Sequence, residues 1–178
     1  MYTILIIVGI IAGIIVLVLI LALFSKKGYS VHREIVIKKP KQEVFEYVKL
    51  LKNQDNYSKW VMAYPNKKTV FSGTDGTVGF IYGWNGNKQA GEGEQEIKNI
   101  INGERVDVEI RFVRPFAAVG YGDMVLAAAP GNQTQVRWGM SSSMKYPMNA
   151  MLLFMNMDKL LGKDLDTSLN TLKGILEK

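Results

Sequence analysis

The chain begins with one long apolar run and continues with segments whose apolar residues recur at two different periods. From Ile4 to Phe24 the sequence has 21 consecutive residues without a charge. At about 1.5 Å per residue such a run forms a helix of roughly 31 Å, close to the roughly 30 Å hydrocarbon core of a bilayer. A helix satisfies its own backbone polar groups in lipid. The pattern therefore predicts a single transmembrane helix.

A cleaved signal peptide is the competing interpretation of this run. Signal peptides have a positively charged start, an apolar stretch of about 7–15 residues and a small-residue cleavage site. Here the first three residues carry no charged side chain, and the residues after Leu21 lack an Ala-x-Ala pattern. The sequence favours an uncleaved anchor. We expect residues 1–27 to form the anchor and its basic flank, and residues 28–178 to form one soluble domain.

The next region combines a strand with short helices. Residues 28–30 read as a linker, and residues 31–37 alternate in the period of two that predicts a strand. Apolar residues then recur at spacings of three and four as far as Leu51, which predicts a helix. A shorter helical segment is expected to end near Trp60.

Residues 68–143 return to a period of two, and turn signals such as Asn102-Gly103 divide them into about six strands. Residues 105–112 are the clearest strand, because the apolar side chains all face one way and the charged ones the other. Pro147 is expected to open the last element, a long amphipathic helix with leucines at spacings of four, four, three and four. These leucines are Leu161, Leu165, Leu169, Leu172 and Leu176.

This order of elements predicts an α+β fold, in which a curved antiparallel sheet of about six to seven strands wraps around the C-terminal helix. A sheet with one apolar face needs a cover, and the last helix is the long one available. Because a helix laid on a curved sheet cannot contact every strand, we expect an apolar hollow between them. The candidate lining residues are Phe80, Tyr82, Trp84, Val108, Ile110, Phe112, Val136, Trp138, Met140, Met151 and Met155.

The positive charge is concentrated next to the apolar run. Residues 26–41 contain six Lys and Arg residues, including Lys26 and Lys27, against Glu34 alone. A basic collar beside an anchor is better explained by anionic lipid headgroups than by nucleic acid, at about 1 kcal/mol per charge. Short flanks rich in Lys and Arg stay on the cytoplasmic side. The charge pattern therefore predicts a cytoplasmic domain that does not bind nucleic acid.

Composition limits the chemistry that the chain supports. There is no cysteine and one histidine, His32. Thiolate metal sites, multi-histidine metal sites and histidine dyads are therefore excluded, and we expect neither a metal nor a cofactor. His32 lies near the basic collar and is expected to be exposed.

The residues from Ile35 to Phe45, the segment from Trp60 to Pro65 and the leucine-rich terminal helix resemble the helix-grip proteins of the SRPBCC superfamily. The polyketide cyclase/dehydrase and lipid-transport group is the most similar part of it. The resemblance covers roughly residues 29–177 and implies an apolar ligand, a lipid or another small molecule, held between sheet and helix. Some members are cyclases or hydroxylases, some carry lipids and some bind proteins. No catalytic signature transfers to named positions here, which favours binding over catalysis.

Two groups of residues leave alternatives open. Six of the nine methionines fall between Met140 and Met157, a density typical of adaptable apolar surfaces. This segment is interpreted as a pliable mouth of the hollow, as gap-filling core, or as a surface that docks shallowly in the membrane. The acidic residues Glu92, Glu94, Glu96 and Asp123, with Arg137, either form a solvated face or include an inward carboxylate. An inward carboxylate would act as the general base of a cyclase- or hydrolase-type enzyme.

The glycines of the apolar run, Gly9 and Gly13, have the small-xxx-small spacing that lets transmembrane helices approach closely. A homodimer through these glycines is therefore a further hypothesis. The leading functional hypothesis is a membrane-anchored domain that binds a lipid or other apolar molecule. A buried-carboxylate enzyme and a non-catalytic protein-interaction module are the alternatives.

Overall fold

The computed structural model describes residues 2–178 and has five α-helices and seven β-strands among them. Met1, part of the predicted anchor region, lies outside the described residues. The helices are α1 (Tyr2–Phe24), α2 (Lys41–Val48), α3 (Gln54–Tyr57), α4 (Lys59–Met62) and α5 (Met157–Leu176), with 3-10 helices at Leu51–Asn53 and Met148–Leu153. The strands are β1 (Gly28–Ile37), β2 (Lys68–Ser72), β3 (Ile81–Asn85), β4 (Glu92–Ile101), β5 (Arg105–Arg114), β6 (Ala118–Ala129) and β7 (Gln133–Ser143).

The strands form one antiparallel sheet in the order β1-β7-β6-β5-β4-β3-β2. Strands β2 to β7 pair with their neighbours along the chain, and β1 closes the other edge by pairing with β7. Helix α5 packs against the inner face of this curved sheet. The predicted α+β fold with a curved antiparallel sheet and a long C-terminal helix is confirmed. The residues predicted as a linker, 28–30, belong to β1 instead, because they pair with residues 141–143 of β7.

The two ends of the sheet differ. The end next to α1, here called the proximal end, contains Gly28, which pairs with Ser143. The opposite end, here called the distal end, contains the pairs Ile37–Thr134 and Ile101–Arg105. Pairing of Glu92 with Arg114 and of Gly120 with Ser142 places the β3–β4 loop and the β5–β6 hairpin at the proximal end.

The distal half holds the tightest core. Ile37 and Val136 from the sheet, Phe45 from α2 and Leu172 from α5 are fully buried there. Helix α5 is tied down at the same end, because the backbone N–H of Lys38 donates to Oε1 of Glu177 at 2.6 Å. The leucine stripe predicted for this helix faces the core, with Leu165, Leu169 and Leu172 almost completely buried.

The last helix begins later than Pro147, which corrects the predicted boundary. Pro147 precedes the short 3-10 helix, and α5 starts only at Met157. Asn156 caps it, since its side-chain oxygen accepts a hydrogen bond from the N–H of Lys159 at 2.9 Å. The segment between β7 and α5 is therefore a separate structural element.

Helix α1 is long and apolar enough to span a membrane, and none of its central apolar stretch is buried against the domain. A core helix of a soluble domain would be mostly buried, so α1 is not part of this domain's core. Burial of α1 is confined to its C-terminal end, where Val18 and Leu19 are partly buried and Ala22 is fully buried. His32, on the adjoining strand β1, is exposed.

Candidate functional site

A hollow of about 400 Å³ lies between the inner face of the sheet, the α3–α4 region and the start of α5. Most of its lining is apolar or aromatic. It is lined by Tyr29, Gln54, Ser58, Trp60, Val61, Tyr64, Lys67, Tyr82, Trp84, Gln89, Ala90, Gln95, Val108, Ile110, Phe112, Gly120, Gly122, Trp138, Met140, Ser141 and Leu161.

The hollow extends to the proximal end of the sheet. Of its lining residues, Tyr29 pairs with Ser142 next to the end of β1, and Phe112 pairs with Ala118 at the base of the β5–β6 hairpin. Ala90 belongs to the β3–β4 loop at the same end. The packed core and the hollow therefore divide the inner face, with the hollow on the side of α1.

Glycines on the inner face of β6 explain why space remains there. Met124 and Leu126 fill the inner positions of this strand toward the distal end, whereas Gly120 and Gly122 occupy the corresponding positions at the proximal end. A Cβ atom at Gly120 would lie 3.6 Å from Cε2 of Phe112, an ordinary contact distance. A side chain at position 120 would therefore fit the backbone and project into the hollow.

Seven of the eleven residues predicted to line a hollow do line it: Tyr82, Trp84, Val108, Ile110, Phe112, Trp138 and Met140. The expectation is corrected for the other four. Phe80, directly before β3, and Val136 on β7 are almost completely buried in the packed core, because the inner face continues past the hollow. Met151 and Met155 are about 40% and 38% exposed and lie outside the hollow, because the chain turns away after β7.

Aromatic side chains form two parts of the wall. The rings of Trp84 and Phe112 meet edge to face with centroids 5.9 Å apart. On the other side, the ring centroid of Trp138 lies 6.0 Å from that of Trp60 and 5.6 Å from that of Tyr57, and both contacts are edge to face. The indole N–H of Trp84 donates to the carbonyl of Ala90 at 3.2 Å. The polar atom of Trp84 is thus satisfied within the wall, and the rings give this wall a largely apolar surface.

A small polar group interrupts this apolar wall. Gln95 on β4 and Gln54 on α3 are both buried, and Nε2 of Gln95 donates to Oε1 of Gln54 at 3.1 Å. Sequence reasoning missed this pair. The inward position of Gln95 could have been predicted, because it lies between Glu94 and Glu96 on the same strand and these two residues face outward. Gln54 lies in a short helix without clear periodicity and had no such signal.

A second polar cluster stands at the rim. The ammonium of Lys67 donates to the carbonyl of Val61 at 3.0 Å and lies 3.5 Å from a carboxylate oxygen of Asp55. The hydroxyl of Tyr82 donates to the same oxygen at 2.6 Å. Burial, reinforced by this hydrogen bond to a carboxylate, raises the pKa of Tyr82 above its usual value. The phenol therefore stays protonated and acts as a hydrogen-bond donor.

The acidic residues considered as general bases lie on the other face of the sheet. Glu94 and Glu96 accept from Arg111 at 2.7 Å and 2.8 Å, and this pairing holds the pKa of Glu96 below its usual range. Glu92 pairs with Arg114 at 2.8 Å, and Asp123 pairs with Arg137 at 3.0 Å. The inward carboxylate required by the enzyme hypothesis is therefore not supplied by these residues, because strand alternation directs them outward.

The methionine-rich segment is placed beside α1 rather than at the hollow. Of its six methionines only Met140 is among the lining residues, while Met148, Met151 and Met155 are exposed. The interpretation of this segment as gap-filling core is therefore wrong for these three side chains. Met157, at the start of α5, packs against the core.

Asn149 joins this segment to the end of α1. Its side chain is fully buried, and its Nδ2 atom donates to the carbonyl of Ala22 at 2.6 Å and to the hydroxyl of Ser25 at 2.9 Å. The N–H of Met144 donates to the carbonyl of Lys27 at 2.8 Å. The last turn of α1 is thus built into the domain. On α1 itself, Gly9 and Gly13 have open space around them among the described residues, and the dimer remains a hypothesis.

Comparisons with known proteins identify the fold of the chain but do not assign it to a family. No family model matches the chain, and no curated protein does. Among solved structures, the Mll3558 protein from Rhizobium loti is similar with a TM-score of 0.60 at 12% identity, over 83% of this chain and 96% of that one. The structure of Ara h 8.0201 has a TM-score of 0.55 at 14% identity, over 84% and 95%. The Aha1 dimer from Colwellia psychrerythraea has a TM-score of 0.53 at 17% identity, over 84% and 96%.

At these identities the likeness shows the fold alone. The chain has the helix-grip fold, in which a seven-stranded antiparallel sheet curves around a C-terminal helix. It carries in addition an N-terminal helix that is long and apolar enough to span a membrane.

Proposed function

We propose that this chain is a membrane-anchored domain that binds a lipid or another apolar small molecule in the hollow between the sheet and α5. The observation that carries the proposal is the hollow of about 400 Å³ with its largely apolar and aromatic lining. This volume lies within the range of about 300–1,000 Å³ typical of small-molecule sites. Burying about twelve methylenes at roughly 0.8 kcal/mol each gives nearly 10 kcal/mol before the costs of association.

The polar groups suit a ligand with one polar end. Gln54 and Gln95 satisfy each other in the absence of a ligand, and each amide has further hydrogen-bonding capacity. Lys67 supplies a cation at the rim, with its side chain about 9% exposed. A molecule with an apolar body and a single polar or anionic group matches this distribution better than a sugar or a nucleotide.

The anchor is supported by two features of α1. Its central stretch is apolar and unburied, as a helix in lipid must be. Its last turn is hydrogen-bonded to Asn149, which argues against a signal peptide, because cleavage near Ser25 would remove part of a buried contact. The basic flank, Lys26 and Lys27, favours a cytoplasmic domain.

Binding is favoured over catalysis. The resemblance to the polyketide cyclase/dehydrase and lipid-transport group of the SRPBCC superfamily is compatible with either role. However, the four acidic residues considered as general bases are paired with arginines on the outer face. A carrier needs no general base, and the aromatic wall is sufficient to hold an apolar ligand.

The test compares two leucine substitutions on adjacent positions of β6. Gly120→Leu inserts a side chain into the hollow, whereas Val119→Leu places the same side chain on the exposed outer face with one added methylene. The full-length chain is purified in detergent, and bound small molecules are measured by native mass spectrometry and by organic extraction. We expect the natural chain and Val119→Leu to retain the same apolar ligand and Gly120→Leu to lose most of it.

Equal ligand content in Gly120→Leu and Val119→Leu would contradict binding in the hollow. An empty natural chain from several expression hosts, which also fails to take up added fatty acids or phospholipids, would contradict the carrier function. In that case a protein-interaction module becomes the better interpretation.

A further inference from the structure

An exposed apolar surface follows strand β7, directly beside the end of α1. It consists of Met148, Met151, Leu153 and Phe154, of which Phe154 is the most exposed at 74%. A contiguous apolar surface of this kind usually marks a binding partner. We propose that residues 148–154 form a second membrane contact, seated in the headgroup region of the bilayer that α1 spans. This inference rests on the proposed anchoring of α1.

The position of the segment relative to α1 is the main argument. Asn149 lies inside this segment and is hydrogen-bonded to Ala22 and Ser25 at 2.6 Å and 2.9 Å. If the apolar run spans the hydrocarbon core, Ala22 lies near its edge, because the run ends at Phe24. A segment bonded to Ala22 must then lie at the same depth. The exposed methionines and Phe154 therefore contact lipid when α1 is inserted.

The register of the sheet brings a second apolar element to the same end. Gly120 pairs with Ser142, so the β5–β6 hairpin projects beyond the level of Gly28 and Ser143. Phe116, in this hairpin, is 70% exposed. We infer that Phe116 reaches the bilayer surface as a lateral contact. Two contacts in addition to α1 would fix the tilt of the domain.

The distribution of charge favours lipid over a protein partner. Lys145 lies three residues before the segment, and Lys26 and Lys27 directly follow α1. The hydrogen bond from the N–H of Met144 to the carbonyl of Lys27 at 2.8 Å brings these cations together where α1 leaves the membrane. Apolar side chains next to lysines match the boundary between acyl chains and anionic headgroups. The apolar surface is also continuous with the unburied surface of α1, which lipid covers.

If residues 148–154 and Phe116 contact the bilayer, the proximal end of the domain and the hollow within it face the membrane. The hollow lies in the proximal half of the sheet, and the contacts proposed here belong to the proximal end as well. A ligand drawn from the bilayer would then enter the domain at the surface of the membrane. Lipid exchange with the same membrane follows as the role of the site.

The absence of cysteine makes a direct test possible, because one introduced cysteine takes one label. Phe154→Cys and Phe116→Cys are labelled with the environment-sensitive fluorophore NBD. Ile101→Cys is the matched control, an apolar residue 46% exposed at the distal end of the sheet. The full-length chain is reconstituted at one copy per nanodisc, in phosphatidylcholine with phosphatidylserine.

We expect the label at position 154 to be blue-shifted relative to the label at position 101 and quenched by lipids with a shallow doxyl group. Iodide should quench it less than the label at position 101, because burial in the headgroup region shields it from water. The label at position 116 should show the same blue shift and the same shielding from iodide, but to a smaller extent. Equal iodide quenching at 154 and 101 would overturn the docking. Shielding that appears only with several copies per disc would overturn it in favour of contact between copies.

Two further measurements separate this result from the proposed function. Resistance of the chain to carbonate extraction reports insertion of α1, and organic extraction of the same samples reports the bound ligand. Loss of the chain on carbonate washing would overturn the anchor and the docking together. An inserted, ligand-containing chain with a water-exposed label at 154 would overturn the docking alone.

Discussion

The hydroxyl of Ser168 on α5 accepts a hydrogen bond from the backbone N–H of Lys59 at 2.9 Å, and Ser168 is fully buried. Lys59 is the first residue of α4, so its own N–H has no partner within that short helix. The same hydroxyl donates to the carbonyl of Asp164 at 2.7 Å. One side chain of the long helix therefore holds in place the helix that carries Trp60 and Val61 to the wall of the hollow.

Replacing Ser168 by alanine is expected to destabilise the protein by about 1–2 kcal/mol, because the partly buried N–H of Lys59 loses its acceptor. The exposed neighbour Thr167 is the control, since its hydroxyl bonds only to the carbonyl of Lys163 in its own helix. Chemical denaturation in detergent, followed by tryptophan fluorescence, measures both variants. A Ser168→Ala midpoint equal to that of Thr167→Ala would contradict the proposed support of α4.

Gly93 leaves the space that the Trp84 indole occupies. A Cβ atom at Gly93 would lie 2.7 Å from Cζ2 and 2.8 Å from Cη2 of that ring, and 2.6 Å from the carbonyl oxygen of Arg111. Gly93→Ala is therefore expected to cost about 1–3 kcal/mol through overpacking and to displace the indole. The displacement should appear as a changed tryptophan emission spectrum.

Gly83→Ala is the matched control for Gly93→Ala, because Gly83 lies on the neighbouring strand β3. A Cβ atom added at Gly83 would lie 3.4 Å from the carbonyl oxygen of Val70, its nearest neighbour, which is an ordinary contact distance. A spectrum and stability that change equally in both variants would show that Gly93 has no special packing role.

The sequence predicted the fold because the fold depends on periodicity. Period-two alternation in strands such as β5 and the leucine stripe of α5 are local signals, and both survive in the structure. Boundaries were less predictable. The last helix begins at Met157, capped by Asn156, and not at Pro147. The residues between form a turn that contacts α1, and that contact joins Asn149 to Ala22, 127 positions apart.

The sequence predicted that an apolar hollow exists, but it identified only some of the residues that line it. Inward-facing aromatic residues of β3 and β5 were identified because alternation assigns a face to each strand position. Alternation shows which face a residue is on, but it does not show where the covering helix packs against that face and where the hollow begins. Phe80 and Val136 were therefore predicted to line the hollow, although they lie in the packed core. Gly120 and Gly122, whose missing side chains create the space, escaped attention because a glycine gives no apolar signal.

Acidic conditions should weaken the contact between β1 and α5. The Arg33 guanidinium donates to Asp158 at 2.9 Å and 3.1 Å and holds the pKa of that carboxyl below its usual value. A carboxyl whose pKa is lower in the folded state contributes stability above its unfolded pKa of about 4. That contribution is lost as the pH falls through the folded pKa.

Asp158→Asn is therefore expected to reduce the stability at neutral pH slightly and to flatten its decline below about pH 4, because the lost carboxyl no longer takes up a proton. Lys163→Gln is the control, since it alters an exposed charge on the same helix without removing a carboxyl. Unfolding midpoints measured between pH 2 and pH 7 test this. Parallel curves for the natural chain and Asp158→Asn would show that the pair contributes nothing to acid sensitivity.

Asn149 provides the sharpest test of how the anchor and the domain are joined. Its side chain gives two hydrogen bonds to the end of α1, at Ala22 and Ser25, and is fully buried. Asn149→Ala removes both hydrogen bonds, at about 0.5–1.5 kcal/mol each, while the carbonyl of Ala22 keeps the N–H and the hydroxyl of Ser25 as donors. If the free energy of local opening falls by about 1.4 kcal/mol, the amide hydrogens of the opened segment exchange about 10-fold faster.

Hydrogen exchange of the full-length chain in nanodiscs should therefore accelerate in Asn149→Ala within residues 144–156 and leave the distal core unchanged. Asn170→Ala is the control, since the exposed Asn170 side chain bonds only to the carbonyl of Asp166 on its own helix. If exchange rises equally across the sheet, Asn149 stabilises the whole domain rather than the joint. If it does not rise at all, α1 and the domain are held together by the backbone connection and the lipid instead.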